Sequence, residues 1–139
     1  MVWIKGRYEN VIDMPSNPPK IAILDDDQSV LVVLRRLIAA AGYEVETFPS
    51  GPAFLESAEN HEPDCVVLDL HMPKMGGLEV QSLLKSGHAG IPVVFLTGQD
   101  SPEARSCALT GGASAYLCKP VDQETLLAAI DVAVGQDRH

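Results

Sequence analysis

The sequence predicts an α/β fold in which an open, doubly wound parallel sheet of five strands carries helices on both faces. Short apolar runs of β type alternate five times with segments whose apolar residues recur at helical spacing. One of these runs, residues 64–69, is continuously apolar from Cys65 to Leu68, as expected of a strand covered on both sides. The 139 residues suffice for one domain with a proper core, whereas a closed eight-stranded barrel needs far more chain.

The first strand spans 20–25 and leads into a helix over 28–41. There Val30, Leu31, Leu34, Leu37, Ile38 and Ala41 share one face, and Gly42 supplies the stop. The strand at 43–48 carries Glu44 and Glu46, which suits a sheet edge. Ser50 then caps a short helix running to Ala58. After the strand at 64–69, a loop from Met72 to Gly77 opens a helix over 77–86, with Leu78, Val80, Leu83 and Leu84. A strand at 91–97, a helix at 101–110, a strand at 114–118 and a helix at 122–134 complete the alternation. Asp122 is the expected N-cap of the last helix, and Leu126, Leu127, Ile130 and Val134 form its inner face. Right-handed crossovers follow from the parallel arrangement.

Residues 1–19 read as an arm, because Pro15, Pro18 and Pro19 bar a helix interior or central strand. Val2, Trp3, Ile4 and Tyr8 give that arm apolar groups for docking on the domain or on a second copy; an extension without a role fits equally well. The domain proper is 20–135, and 136–139 is a C-terminal tail.

A formal charge of −9 and a pI near 4.7 argue against direct binding to nucleic acid or to an anionic membrane surface. No apolar stretch is long enough to span a bilayer, and the N-terminus lacks the ordered regions of a signal peptide. The three cysteines (Cys65, Cys107 and Cys118) have no CxxC spacing. The two inside apolar runs, Cys65 and Cys118, read as small buried hydrophobes rather than as redox or metal groups, which fits a reducing cytoplasm.

Reactive side chains follow four of the predicted strands: Asp25, Asp26 and Asp27 after the first, Asp69 after the third, Thr97 after the fourth and Lys119 after the fifth. Doubly wound sheets bind ligands beyond the C-terminal ends of their strands. Two carboxylates about 4 Å apart repel by roughly 4 kcal/mol at an effective dielectric near 20. Convergence of several therefore calls for a cation, and Mg²⁺ takes oxygen ligands from one or two carboxylates plus phosphate oxygens. Asp69 ends the most apolar strand, which suits a carboxylate nucleophile for phosphoryl transfer. Mg²⁺, Lys119 and Thr97 would then answer the charge on the phosphoryl oxygens. Taken singly, each residue also reads blandly, as a cap, a strand end, a surface lysine or a loop acid; the conjunction carries the inference.

Leu24-Asp25-Asp26, the run from Val67 to Glu79 around Asp69, Phe95-Leu96-Thr97-Gly98, Gly112-Ala113 and Tyr116-Leu117-Cys118-Lys119-Pro120 together resemble the receiver domain of bacterial two-component response regulators. The resemblance covers about residues 20–135. It implies a flavodoxin-like (βα)5 fold with strand order 2-1-3-4-5, and Asp69 as phosphoacceptor. It further implies Mg²⁺ held by Asp26, Asp69 and the backbone carbonyl of His71, with Asp25 acting mainly through water. Thr97 and Tyr116 resemble the switch pair and Lys119 the phosphate-contacting lysine, while Asp27 matches no core position. His71 and Gln99 occupy variable sites that tune the lifetime of the acyl phosphate. On phosphorylation, Thr97 and Lys119 are expected to shift towards Asp69 and Tyr116 to rotate inward, reshaping the face of 101–110 and 114–118.

The implied partners are a sensor histidine kinase or phosphotransfer protein and an output domain or downstream protein, with a homodimer through the 101–110 face as a further expectation. Asp100-Ser101-Pro102 is most similar to receivers fused to helix-turn-helix DNA-binding domains. The chain runs only to His139, which reads as a stand-alone receiver or as part of a longer regulator. The nearest enzymatic alternative is a haloacid-dehalogenase-like phosphatase with Asp25 as nucleophile, but it leaves Asp69 without a role. A degenerate module that is never phosphorylated is the other alternative, and the complete acidic set argues against it. No GxxxxGK[ST] or GxGxxG follows the first strand, so a nucleotide-binding module is disfavoured.

Overall fold

The computed structural model describes residues 18–135, so the docking groups expected at Val2, Trp3, Ile4 and Tyr8 and the tail at 136–139 lie outside the described residues. Five strands, β1 (Lys20–Leu24), β2 (Glu44–Phe48), β3 (Cys65–Leu68), β4 (Val93–Thr97) and β5 (Ala115–Cys118), pair in parallel in the order β2-β1-β3-β4-β5. Between and after them lie α1 (Gln28–Ala40), α2 (Gly51–Ala58), α3 (Gly77–Gly87), α4 (Pro102–Thr110) and α5 (Gln123–Ala133). The caps form where the residue types direct them. Ser50 accepts from the N–H of Ala53, Asp122 from Thr125 and Asp27 from Ser29.

The sheet divides the core in two. One face, with Leu24, Val66, Leu68 and Phe95, packs against Phe54 of α2, Val80 and Leu84 of α3 and Ala108 of α4. The other, with Ile21, Ile23, Val67 and Leu96, packs against Leu31, Leu34 and Ile38 of α1 and Leu126 and Ile130 of α5. Burial of β3 on both faces explains its unbroken apolar run. The charged strand β2 lies at an edge, where its Glu46 pairs with Lys20.

Three details depart from the sequence reading. The strand expected over 91–97 begins at Val93; Pro92 has no N–H to give the ladder, although its carbonyl accepts from Val66. Pro19, assigned to the arm, already accepts from the N–H of Glu44. In α3 Leu83 is exposed, whereas Gln81 is buried and donates from Nε2 to the carbonyl of Ala108 at 2.9 Å, tying α3 to α4.

Register sets the site. Leu24 is level with Leu68, Leu68 with Phe95, and Thr97 with Cys118. The ladder continues one step further: the N–H of Asp69 donates to Leu24, that of Asp25 to Phe48 and that of Lys119 to Thr97. The backbone after β3 is held from its other side by the start of α3. A Cβ on Gly77 would collide with the carbonyl oxygen of Asp69 and lie 3.0 Å from Leu70 Cα. Gly77→Ala should therefore cost about 1–3 kcal/mol in denaturant unfolding, whereas Gly90→Ala, with nothing within 4 Å of its added methyl, should stay within about 0.5 kcal/mol. Equal midpoints for the two variants would remove the close approach as a constraint.

Candidate functional site

Asp25 leaves the end of β1 and Asp69 the end of β3, and pairing of these strands sets the two carboxyls side by side. One carboxylate oxygen from each of Asp25, Asp26 and Asp69 lies within 4.8 Å of the others. Asp25 is 3% exposed and Asp69 8%, while Asp26 faces solvent. Lys119 Nζ donates to Asp25 Oδ2 at 2.9 Å, and the N–H of Asp27 donates to Asp25 Oδ1 at 2.9 Å. Both oxygens of Asp25 are thus engaged. Asp27 is not part of the cluster: its Oδ1 accepts from the N–H and hydroxyl of Ser29 at the head of α1, which holds its pKa below the ordinary aspartate value.

Burial pushes the Asp69 carboxyl above its usual range, and the charge of Asp25 adds to the effect. Lys119 and the backbone N–H of His71 pull it back without cancelling it. The donor set is all oxygen, mixed in exposure and short of positive charge, which fits a hard divalent cation better than a transition metal. Asp26 and Asp69 have carboxylate oxygens to offer it, with Asp25 behind them.

Thr97 is fully buried at the end of β4, where its Oγ1 accepts from the N–H of Gln99 at 3.0 Å. The carbonyl of Gln99 is 3.3 Å from His71 Nε2, so the loops after β3 and β4 meet above the acidic cluster. Lys119 precedes a cis peptide bond to Pro120.

The ring of Tyr116 lies inward in this conformation, 7% exposed and 6.2 Å from the ring of Phe95. Arg105, paired with Asp100, lies over the ring of Tyr116, a contact that joins residues of three separate segments. Gln81 was missed, since a lone glutamine on a helix reads as solvated. Cys65 is the buried thiol expected, its pKa pushed up to about 12 by burial; Cys118 is half-buried, and Cys107, outside the apolar runs, is exposed.

A parallel sheet of order 2-1-3-4-5 with three acids, a threonine and a lysine at one edge is matched by the family described as response regulator receiver domain, over residues 21–131. The chain belongs to that family. It is 42% identical over 111 residues to the response regulator MprA of Mycobacterium sp. (strain KMS), covering 80% of this chain and 48% of that protein. It is 39% identical over 114 residues to the response regulator protein TodT of Pseudomonas putida (strain F1), covering 82% and 50%. The chain therefore spans about half the length of these curated relatives. The crystal structure of a CheY-like receiver domain protein from Methanospirillum hungatei JF-1 superposes with a TM-score of 0.82 at 29% identity, covering 86% of this chain and 96% of that one.

A receiver is a phosphoacceptor switch of a two-component system rather than an enzyme turning over a substrate, which displaces the phosphatase alternative. The geometry agrees, since Asp25, the nucleophile on that alternative, has both oxygens engaged. Among the described residues no helix is long and apolar enough to cross a membrane.

The raised pKa of Asp69 has a consequence for stability. A proton is held more tightly in the folded than in the unfolded state, so this contribution favours folding below the unfolded pKa and is lost as pH rises through the folded one. At neutral pH without divalent cations the buried charge costs stability. Asp69→Asn should raise the unfolding free energy on the order of 1 kcal/mol in chelator at pH 7.5, and the gain should shrink as pH falls through the carboxylate range. Denaturant titrations at pH 7.5 and 4.5 check this; a gain independent of pH would assign it to something other than charge.

Proposed function

We propose that this chain is a Mg²⁺-dependent phosphoacceptor whose Asp69 takes a phosphoryl group from a phosphohistidine of a sensor histidine kinase or phosphotransfer protein. The observation that carries this reading is the convergence of Asp25, Asp26 and Asp69 beside Lys119, on a sheet that pins their backbones. An oxygen of Asp69 attacks phosphorus in line, the P–N bond to the donor imidazole breaks, and the imidazole departs with the electron pair. Asp26, Asp69 and the backbone carbonyl of His71 would hold Mg²⁺, which would supply charge neutralisation to the transferring oxygens. Asp25, held by Lys119 and the N–H of Asp27, would act mainly through water rather than as a direct ligand. Lys119 exchanges part of its pairing with Asp25 for the phosphoryl group, and Thr97 turns its hydroxyl from Gln99 to a phosphoryl oxygen.

The product carries one more negative charge than the carboxylate it replaces. Repositioning of Thr97 and of the loop after it is passed to the face of α4 and β5, which serves an output domain, a downstream protein or a second copy. The free thiols fit a cytoplasmic setting. Donor docking is assigned to the apolar groove adjoining Lys119, where Val30 and Val33 of α1 face Leu96, Pro120 and Val121.

Incubation with acetyl phosphate and Mg²⁺ should add one phosphoryl group at Asp69, read by intact mass and peptide mapping. Asp69→Asn or chelator should abolish the label, and label retained in Asp69→Asn would overturn the acceptor assignment. Val33→Asp should slow transfer from the cognate kinase about tenfold or more while labelling by acetyl phosphate stays within about twofold, as expected of a change confined to a docking contact. Equal slowing with both donors would place Val33 in the chemistry or the fold instead.

A further inference from the structure

Helix α4 is the least anchored of the five. Ala108 is its one buried residue, Leu109 is exposed, and the tether from Gln81 holds only its C-terminal end. Its N-terminal half is held through Arg105. The guanidinium carbon lies 4.7 Å from the centroid of the Tyr116 ring. Arg105 Nη2 is 3.2 Å from Asp100 Oδ2 and 3.7 Å from Cys118 Sγ. One side chain of α4 thus reaches a residue of the β4–α4 loop and two residues of β5.

The grip on Tyr116 is one-sided. Its ring packs inward against Phe95, while its buried hydroxyl has only a loose polar neighbour, the Asp100 carboxylate, and no well-formed hydrogen bond among the described residues. A buried hydroxyl so weakly paired favours swinging out to water. The cation over the ring is the opposing interaction on its outer side. Asp100 fixes the guanidinium there and belongs to the loop whose Gln99 carbonyl and N–H engage His71 and Thr97.

We infer that Arg105 is the positioning residue of this receiver's switch, clamping Tyr116 in its inward place and, through Asp100, the loop that follows Thr97. The inference rests on Asp69 being the phosphoacceptor only for its effect on phosphorylation; the clamp itself is a matter of geometry. Its consequence is a receiver held largely in the ring-in arrangement before any phosphoryl group arrives. A receiver that must first bring its aromatic inward reacts at a rate reduced by the fraction in the competent state. Arg105 removes most of that reduction.

The test measures two quantities on the full chain, wild type against Arg105→Leu, Arg105→Lys and Asp100→Asn. Ring resonances of selectively labelled tyrosine, with Tyr116 assigned by Tyr116→Phe, report the position of the ring without phosphodonor. The rate of Asp69 labelling by acetyl phosphate and Mg²⁺ reports competence. Wild type should show one buried Tyr116 environment. Arg105→Leu should shift or split it and label about three- to tenfold more slowly, the range expected for losing a cation–π contact and its ion pair. Arg105→Lys, which keeps a cation over the ring, should recover at least half of the loss. Asp100→Asn should act in the same direction by about twofold and carries the test should Arg105→Leu fold poorly. Release of the ring with an unchanged rate, slow labelling with the ring unmoved, or no recovery by lysine would each overturn the inference. Absence of label at Asp69 in wild type would instead overturn the phosphoacceptor reading, with the ring resonances still deciding the clamp.

Discussion

The constraint on which this structure turns is the forced proximity of like charges. Parallel pairing of β1 with β3 brings Asp25 and Asp69 together whether or not a cation is present to balance them. Both backbones are fixed by ladder hydrogen bonds, so neither acid can retreat. The remaining freedom lies in protonation, in the reach of Lys119 and in the capture of a cation. A neutral edge of the same geometry would fold with less internal opposition and would do no phosphoryl chemistry.

That opposition is tolerable because the two cores beneath it are ordinary. Ile21, Ile23, Val67 and Leu96 on one face and Leu24, Val66, Leu68 and Phe95 on the other are packed by helices on both sides. The sheet is therefore secured far from the acids. The helices are secured unequally, since α1 buries three residues and α4 one. Local stability follows burial of this kind, which makes α4 the element readiest to shift when the chemistry at the sheet edge changes charge.

Much of this was legible in the sequence because its carriers are strongly patterned. Unbroken apolar runs mark doubly covered strands, Ser50 and Asp122 mark helix starts, and the acids, Thr97 and Lys119 fall just where runs end. What escaped reading depends on contacts between side chains far apart in the chain. Gln81 is polar yet buried, because the carbonyl of Ala108 happens to lie within its reach. Arg105 sits among residues that read as a solvated helix face, and nothing local announces that its guanidinium reaches β5. The surroundings of Tyr116 escape for the same reason, since an aromatic on a strand specifies burial but not the cation that covers it.

Gly77 leaves a further mark on how such a device can move. With Gly77 so close that a side chain there would meet the carbonyl of Asp69, and the N–H of that aspartate bound to Leu24, the backbone beneath this carboxyl is wedged from two directions. A shift at this sheet edge cannot be absorbed there. It is displaced sideways into the surrounding loops, so Asp69 serves as the anvil and its neighbours as the moving parts.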